Sequence, residues 1–220
     1  MKIGIIGAGM IGGALTRRLS QLGHQVSVAN SRGPETLADL AAQSGARAVS
    51  VSEAARGQDL VVVTIQESRI PELQGLFADA PADLPVVDTG NYYPRERDGR
   101  IEPIEGGMTE SGWVEQVLGH KVVKAFNNIG SKFIEESGLP AGSPGRIALP
   151  VAGDNPAKAK GMEIVEQPGF TAVGSGGAAP GGPFPAAGTL EELRLHGGGS
   201  AGVFERVAAD GLPALRSLTF

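Results

Sequence analysis

The sequence predicts an α/β fold: a doubly wound, mostly parallel sheet with helices on its faces and a small C-terminal lobe. Three observations carry the prediction. Strand-like and helix-like segments alternate from the first residues onward, the pattern of a parallel sheet covered by helices. The first strand runs through a glycine-rich turn straight into a helix. The 220 residues, 41% of them hydrophobic, suffice for one sizeable core with a small appendage.

Taken in order, Lys2-Ile3-Gly4-Ile5-Ile6 reads as a short buried strand. From Met10 through Ala14, Leu15 and Leu19 to Leu22 the apolar residues have helical spacing, and Gly23 stands where a C-terminal cap belongs. Gln25 to Ala29 alternates as a strand does. Pro34 to Ser44 predicts a second helix, with proline just inside its start and Leu37, Leu40 and Ala41 on one face. Ala48-Val49-Ser50 is the expected third strand, and Ser52 the expected cap of a short helix through Glu53, Ala54 and Ala55. Asp59 to Ile65 is a nearly continuous apolar run, hence a buried fourth strand. Leu84 to Asp88 is the fifth strand, Lys121 to Phe126 the sixth and Ala148 to Gly153 the seventh, with a helix near Met108 to Leu118 that packs Trp113. The expected division is a sheet domain over 1–155 and a C-terminal lobe over 156–220. That lobe includes a Gly/Pro/Ala-rich segment at 174–188, too poor in apolar area to order itself, and a short helix from Ala201 to Ala209 ended by Gly211 and Pro213.

The turn itself, Gly7-Ala8-Gly9-Met10-Ile11-Gly12, has the spacing of the Rossmann-type dinucleotide fingerprint. Gly7 permits the tight turn, Gly9 lets the backbone approach a pyrophosphate without a Cβ in the way, and Gly12 brings the helix close to the strand. Unpaired N–H groups and the dipole at the helix start then favour the anion. At the end of the second strand, an Asp or Glu would bind a ribose 2′-hydroxyl. Here Asn30, Ser31 and Arg32 stand instead. Arg32 can pair with a 2′-phosphate and Ser31 can donate to it, so the expected cofactor is NADP(H) rather than NAD.

Net charge is −5 and no basic run appears, so nucleic acid and anionic membranes are poor partners and a small-molecule substrate is expected. The absence of cysteine removes thiolate catalysis and cysteine metal sites. His24, His120 and His196 are isolated and lack ligand spacing, so no metal site is expected. The chain opens on its first core strand, which predicts no signal peptide, and no apolar run reaches membrane-spanning length; a cytoplasmic protein is the expectation.

In open α/β sheets the ligand lies beyond the carboxyl ends of the strands. Thr64, Ile65 and Gln66 follow the fourth strand, Asp88, Thr89 and Asn91 the fifth, and Lys124, Ala125, Asn127 and Asn128 lie on or after the sixth. Thr64, Ile65, Gln66, Ala125 and Asn127 therefore join Gly7, Ala8, Gly9, Met10, Ile11, Gly12, Asn30, Ser31 and Arg32 as expected cofactor contacts. Lys124 and Asn127 are the catalytic candidates, although hydride transfer needs positioning more than a strong acid or base. Competing structural roles are a loop cap for Asp88, a strand-edge charge for Lys124 and a turn for Asn127-Asn128. Tyr92-Tyr93 offers rings to cover a nicotinamide edge or simply to pack a loop, and Arg95-Glu96-Arg97-Asp98 reads as a solvated loop.

The opening Lys2 to Gly12, the Ala29-Asn30-Ser31-Arg32-Gly33-Pro34 corner, Val123-Lys124-Ala125-Phe126-Asn127 and Pro150-Val151-Ala152-Gly153-Asp154 together resemble the NADPH-dependent deazaflavin-coenzyme (coenzyme F420) reductases and their bacterial relatives. The resemblance spans about residues 1–173. Its first two motifs are shared with pyrroline-carboxylate reductases and ferric reductase domains; the other two are more diagnostic. It implies one dinucleotide domain, a small C-terminal lobe that helps form the substrate pocket, a homodimer, and Ser31 and Arg32 on the 2′-phosphate. It further implies hydride transfer between nicotinamide and a flat conjugated acceptor, the deazaflavin coenzyme being the leading one. Two departures stand out: Ile65-Gln66-Glu67-Ser68 replaces the proline usual after the fourth strand, and Gly174-Ser175-Gly176-Gly177 replaces an acidic-glycine pattern. Two other functions remain open: imine or carbonyl reduction, with Lys124 or a tyrosine supplying a proton, and a non-catalytic NADP-sensing binding module.

Overall fold

In β1 (Lys2–Ile6) every residue after Lys2 is apolar or glycine and is buried, so this strand can occupy only the middle of a sheet covered on both faces. The structure, a computed structural model, describes residues 1–153 and 156–175. Around β1 lie β2 (Gln25–Ala29), β3 (Arg47–Ala48), β4 (Leu60–Val63), β5 (Val86–Asp88), β6 (Val123–Lys124), β7 (Ala148–Ala152) and β8 (Thr171–Ser175). Their order in the sheet is β3-β2-β1-β4-β5-β6-β7-β8. The first six strands run parallel. β7 is antiparallel to β6 through the single pair Lys124↔Ala152, and β8 is parallel to β7. The strand order reverses between β1 and β4, and the crevice beyond their carboxyl ends is where such a sheet takes its ligand.

Alternating side chains feed two cores. One face carries Ile3, Ile5, Val62, Val87 and Val123, and packs Leu15 and Leu19 of α1 (Met10–Gln21), Ile134 of α6 (Ser131–Glu136) and Ile164 of α7 (Lys158–Glu166). The other carries Ile6, Val61, Val63 and Val86, and packs Ala54 of α3 (Val51–Ala55), Phe77, and Trp113 and Leu118 of α5 (Glu110–Leu118). Trp113 thus fills the helix–sheet interface as its helical spacing predicts.

Several expected elements are corrected. The third strand covers Arg47–Ala48, not Ala48–Ser50, because Ser50 leaves the ladder to cap α3. Its hydroxyl accepts from Glu53 N, and the Glu53 carboxylate accepts from Ser50 N at 2.9 Å, so the capping box belongs to Ser50 rather than Ser52. The Ser50 hydroxyl, which donates to the Glu53 carboxylate at 2.7 Å, and then Ser50 N hold that carboxyl below its ordinary value. Pro34–Ser44 divides into a 3-10 turn (Pro34–Leu37) and α2 (Ala38–Ser44). The fourth strand stops at Val63 and the fifth starts at Val86.

The sixth strand contracts to two residues, since Phe126 adopts φ 60, the sole positive φ outside glycine among the described residues, and turns the chain away from the ladder. In the Arg95–Asp98 stretch Arg95, Glu96 and Arg97 are exposed as expected, but Asp98 is buried and the stretch is not a loop. It forms a helical turn, Pro94–Asp98, closed by a buried Asp98 that accepts from Tyr93 N at 2.8 Å and Ser68 N at 3.3 Å. Burial pushes the Asp98 carboxyl up, but the Arg97 guanidinium and the two backbone donors hold it below its ordinary value.

Beyond the expected boundary at 155, α7 and β8 continue the same sheet. Gly161 allows this close approach, because a Cβ there would lie 2.5 Å from Val123 Cγ1. Asp154, the rest of the 174–188 segment from residue 176, His196 and the helix expected over Ala201 to Ala209 fall outside the described residues.

Candidate functional site

Glycine is required at three points of the β1–α1 turn for two different reasons. A Cβ on Gly7, which has φ 108, would lie 2.2 Å from Thr64 O, and one on Gly12 would lie 1.9 Å from Gly7 O. These two glycines press the turn and α1 against the end of β4, as the fingerprint predicts. Gly9 differs, because a Cβ there would meet nothing within 4 Å. Its freedom from a side chain serves the space outside the protein. Gly9 is the N-cap of the 12-residue α1, no side chain caps the helix, and its first turn has no acidic residue. Met10 is 79% exposed, while Ala8 and Ile11 are half-buried. A helix start left open in this way receives an anion on its N–H groups, and the cradle fits the pyrophosphate of a dinucleotide.

At the carboxyl end of β2, Asn30 builds the next corner. Its Oδ1 accepts from Arg32 N at 2.9 Å and its Nδ2 donates to Thr36 Oγ1 at 2.9 Å, while Thr36 Oγ1 donates to Gly33 O at 2.8 Å. With Asn30 occupied by the loop, Ser31 and Arg32 are left exposed on the side of the glycine turn, since Gly7 N donates to Ala29 O at 2.8 Å. Among the described residues no carboxylate forms an ion pair with Arg32.

The ladder carries on past the strand ends: Thr64 N donates to Ile6 O at 2.8 Å, Thr89 N to Val63 O at 3.1 Å and Ala125 N to Asp88 O at 3.1 Å. Thr64 and Ile65 therefore abut the glycine turn, and Gln66 is exposed beside them. Asn91 and Asn127 join the next two strand ends, Asn91 Nδ2 donating to Asn127 O at 2.6 Å and Asn127 Nδ2 to Asn91 Oδ1 at 3.3 Å. Ala125 is fully buried, part of the apolar core rather than of the crevice wall. Asn128 is half-buried, and its amide has no hydrogen-bond partner among the described residues.

Lys124 is not a strand-edge charge. Its side chain is 4% exposed between β5 and β7, with Nζ 2.7 Å from Asp88 Oδ2, 3.7 Å from Glu67 Oε1 and 3.8 Å from Glu110 Oε2. Burial alone would lower its pKa, but Asp88, Glu67 and Glu110 outweigh that and hold the ammonium charged. Asp88 serves two neighbours, accepting from Lys124 through Oδ2 and from Gly90 N through Oδ1 at 2.8 Å. Tyr92 is buried in the loop packing, where its hydroxyl accepts from Ile101 N and donates to Glu105, both at 2.8 Å. The Tyr93 ring lies under the Arg97 guanidinium, 5.0 Å from centroid to carbon. The residue that sequence reasoning missed is Glu67, fully buried although it follows the strand end as an ordinary polar loop residue would. The replaced proline at this point of the chain was the one signal of something unusual there.

A gapless Rossmann turn, an uncapped helix start and a basic corner now stand together. Residues 2–92 match the family described as NADP oxidoreductase, coenzyme F420-dependent. Over this segment, from β1 through β5 to Tyr92, the resemblance read from the sequence holds. The enzyme class follows: an NADP-dependent oxidoreductase. Among solved structures, a hypothetical protein from Sinorhizobium meliloti is 27% identical with a TM-score of 0.71, over 86% of this chain and 91% of that one. A protein from Arthrobacter, provisionally described as an F420-dependent NADP-reductase, is 22% identical with a TM-score of 0.70, over 92% of this chain and 96% of that one. An imine reductase from Pseudomonas shares the fold at 18% identity and a TM-score of 0.56, over 89% of this chain but 60% of its own length. No curated protein matches the sequence. Among the described residues no helix is long and apolar enough to cross a membrane, and no group of side chains is arranged to hold a metal ion.

Proposed function

We propose that the protein binds NADP(H) across the Gly7–Gly12 turn and the Ser31–Arg32 corner and transfers hydride between its nicotinamide and a conjugated acceptor, the deazaflavin coenzyme F420 first among candidates. The observation that carries the reading is the start of α1, open at Gly9 and free of any competing cap or acid. Bound there, the nicotinamide supplies or accepts the hydride. The chain's own residues bind and orient: Gly9, Met10 and Ile11 receive the pyrophosphate, Ser31 and Arg32 the 2′-phosphate, and Thr64, Ile65 and Gln66 the nicotinamide end. Asn91 and Asn127, tied to one another, fix the far wall of the crevice.

The acceptor assignment rests on the family description and on the need of hydride transfer for a flat, closely held partner. Reduction of an imine or carbonyl needs a proton donor, and Lys124, buried and held charged by its carboxylates, has its ammonium turned into the protein. That weakens the second reading. We further propose a homodimer with a C-terminal lobe that helps form the acceptor pocket, as the resemblance implies, and a cytoplasmic location, as the sequence leads one to expect.

The test is a calorimetric titration with NADPH and then NADH, repeated with oxidised deazaflavin coenzyme while the nicotinamide absorbance is followed. Tight NADPH binding with loss of absorbance is expected. Binding without turnover moves the weight to another acceptor or to an NADP sensor, and failure to bind either dinucleotide overturns the proposal. Arg32→Asp is expected to shift preference from NADPH towards NADH roughly tenfold to a hundredfold, since a charge-assisted contact of about 1.5–3 kcal/mol becomes a repulsive one. Dissociation constants for both dinucleotides check it; an unchanged ratio means the 2′-phosphate lies elsewhere.

A further inference from the structure

Glu67 stands in a chemical environment that the proposed reaction does not use. Its side chain is fully buried at the start of the 3-10 segment Glu67–Leu73, which leaves the carboxyl end of β4. Neither carboxyl oxygen has a hydrogen-bond partner among the described residues. Its nearest cation is Lys124, whose Nζ lies 3.7 Å from Oε1 but is already committed to Asp88 at 2.7 Å. Glu110 of α5 approaches the same ammonium at 3.8 Å. Asp98, closing the Pro94–Asp98 turn, is the third carboxyl around Glu67, after Asp88 and Glu110. Asp98 has the Arg97 guanidinium as its counter-ion at 3.0 Å and Glu110 is partly exposed, but Lys124 is committed to Asp88, and the cheapest remedy for a fully buried carboxyl without a hydrogen bond is to keep its proton.

The surroundings are also shaped to the carboxyl group. A Cβ at Gly90 would lie 2.3 Å from Glu67 Oε1 and 3.1 Å from Asp88 Oδ1, so the absent side chain of Gly90 is what makes room for Glu67. Glu67 thereby bridges the chain leaving β4, just after Thr64, Ile65 and Gln66, to the chain leaving β5, just before Asn91. We propose that Glu67 is a positioning residue carried as a neutral carboxylic acid at neutral pH, and that release of its proton to solvent disturbs these two strand ends and weakens NADP(H) binding. The second half rests on the NADP(H) reading given above; the first does not.

Burial, then the Asp88 charge, push the Glu67 carboxyl up to about 8 from an ordinary 4.5, against the pull of Lys124 and with Glu110 and Asp98 adding to the push. A group whose value is raised on folding contributes stability that is complete below its unfolded value and declines as pH rises to the folded one. For Glu67 that window runs from 4.5 to about 8. Cofactor affinity, a property of the folded state, changes only as pH passes the upper limit.

The test compares wild type with Glu67→Gln, which keeps the shape of the neutral acid and has no proton to lose. Expected is equal NADPH affinity at pH near 6, then a weakening in the wild type alone above about 8, by up to tenfold per pH unit. Parallel affinity profiles overturn the positioning role. Thermal unfolding of the same pair separates this from the NADP(H) reading. If neither protein binds NADPH, the function proposed above fails, yet a stability advantage of Glu67→Gln that widens between pH 4.5 and 8 still supports the neutral acid, and a constant gap overturns it. Should Glu67→Gln fail to fold, infrared spectroscopy of the wild type decides: a protonated-carboxyl band persisting at pH 7 supports the proposal, and its absence overturns it.

Discussion

Gly9→Val folds with wild-type stability and binds NADPH more than a hundredfold more weakly. The two halves of this expected result come from one geometric fact, that a Cβ on Gly9 meets nothing of the protein within 4 Å. A valine there is tolerated by the fold but stands where the pyrophosphate must approach the first N–H groups of α1. Losing two charge-assisted hydrogen bonds at about 1.5–3 kcal/mol each is at least a hundredfold in affinity. Gly12→Ala is the control with the opposite sign. Its new methyl would sit 1.9 Å from Gly7 O and 2.8 Å from Thr64 Cγ2, so the protein itself must move, and stability falls before binding is ever at issue. Calorimetric affinity and thermal unfolding on both variants check the pair. Undiminished NADPH affinity in Gly9→Val removes the cofactor from this turn.

Lys124→Met is expected to lower stability by about 3–5 kcal/mol, because it strips the ammonium from Asp88 and Glu67 while leaving those two carboxyls buried. In a protein of this length that is a fall of roughly 6–20 °C in midpoint. Adding Asp88→Leu to it should recover part of the loss, since an apolar pair of similar volume replaces an orphaned charge. Differential scanning calorimetry measures both. If Lys124 served instead as a proton donor to substrate, turnover would vanish while the melting temperature stayed where it was. That outcome would restore the imine or carbonyl reading.

How much of this could be read beforehand depended on whether the deciding contacts were local. β1, α1 and β2 fall within a residue of their expected bounds, because one strand-like run, a glycine turn, a helical stripe and an alternating strand each agree with their tertiary setting. The α3 cap was misassigned by two residues: Ser50 and Ser52 are both plausible caps, and only the three-residue spacing to Glu53 singles out Ser50. The sixth strand was overestimated because an apolar run says nothing about Phe126 entering a left-handed turn, which its neighbours impose. In the site, the glycine turn was legible since each glycine answers a backbone conflict or a ligand approach. Lys124 was visible as a residue but not as a buried ion pair, for its surroundings depend on strand order, and strand order is absent from a linear pattern. Glu67 was illegible for the same reason: its carboxyl meets Lys124, Asp88 and Glu110 only once β4, β5, β6 and α5 are side by side.

The contraction of the ladder to one pair between β6 and β7 divides the backbone into two hydrogen-bonded blocks. On one side β1 to β5 carry the cofactor crevice; on the other, β7 and β8 pair over five positions and are tied to α7 by Arg146, which donates to Glu166 Oε2 at 2.6 Å. What joins the blocks is mainly apolar packing, such as Gly161 against Val123. With one ladder pair between them, the two blocks are expected to differ in local opening, which amide exchange measures. Faster exchange in β7 and β8 than in β1 and β4 is the expected outcome, and equal protection across the sheet would mean that the shared apolar core makes it one unit.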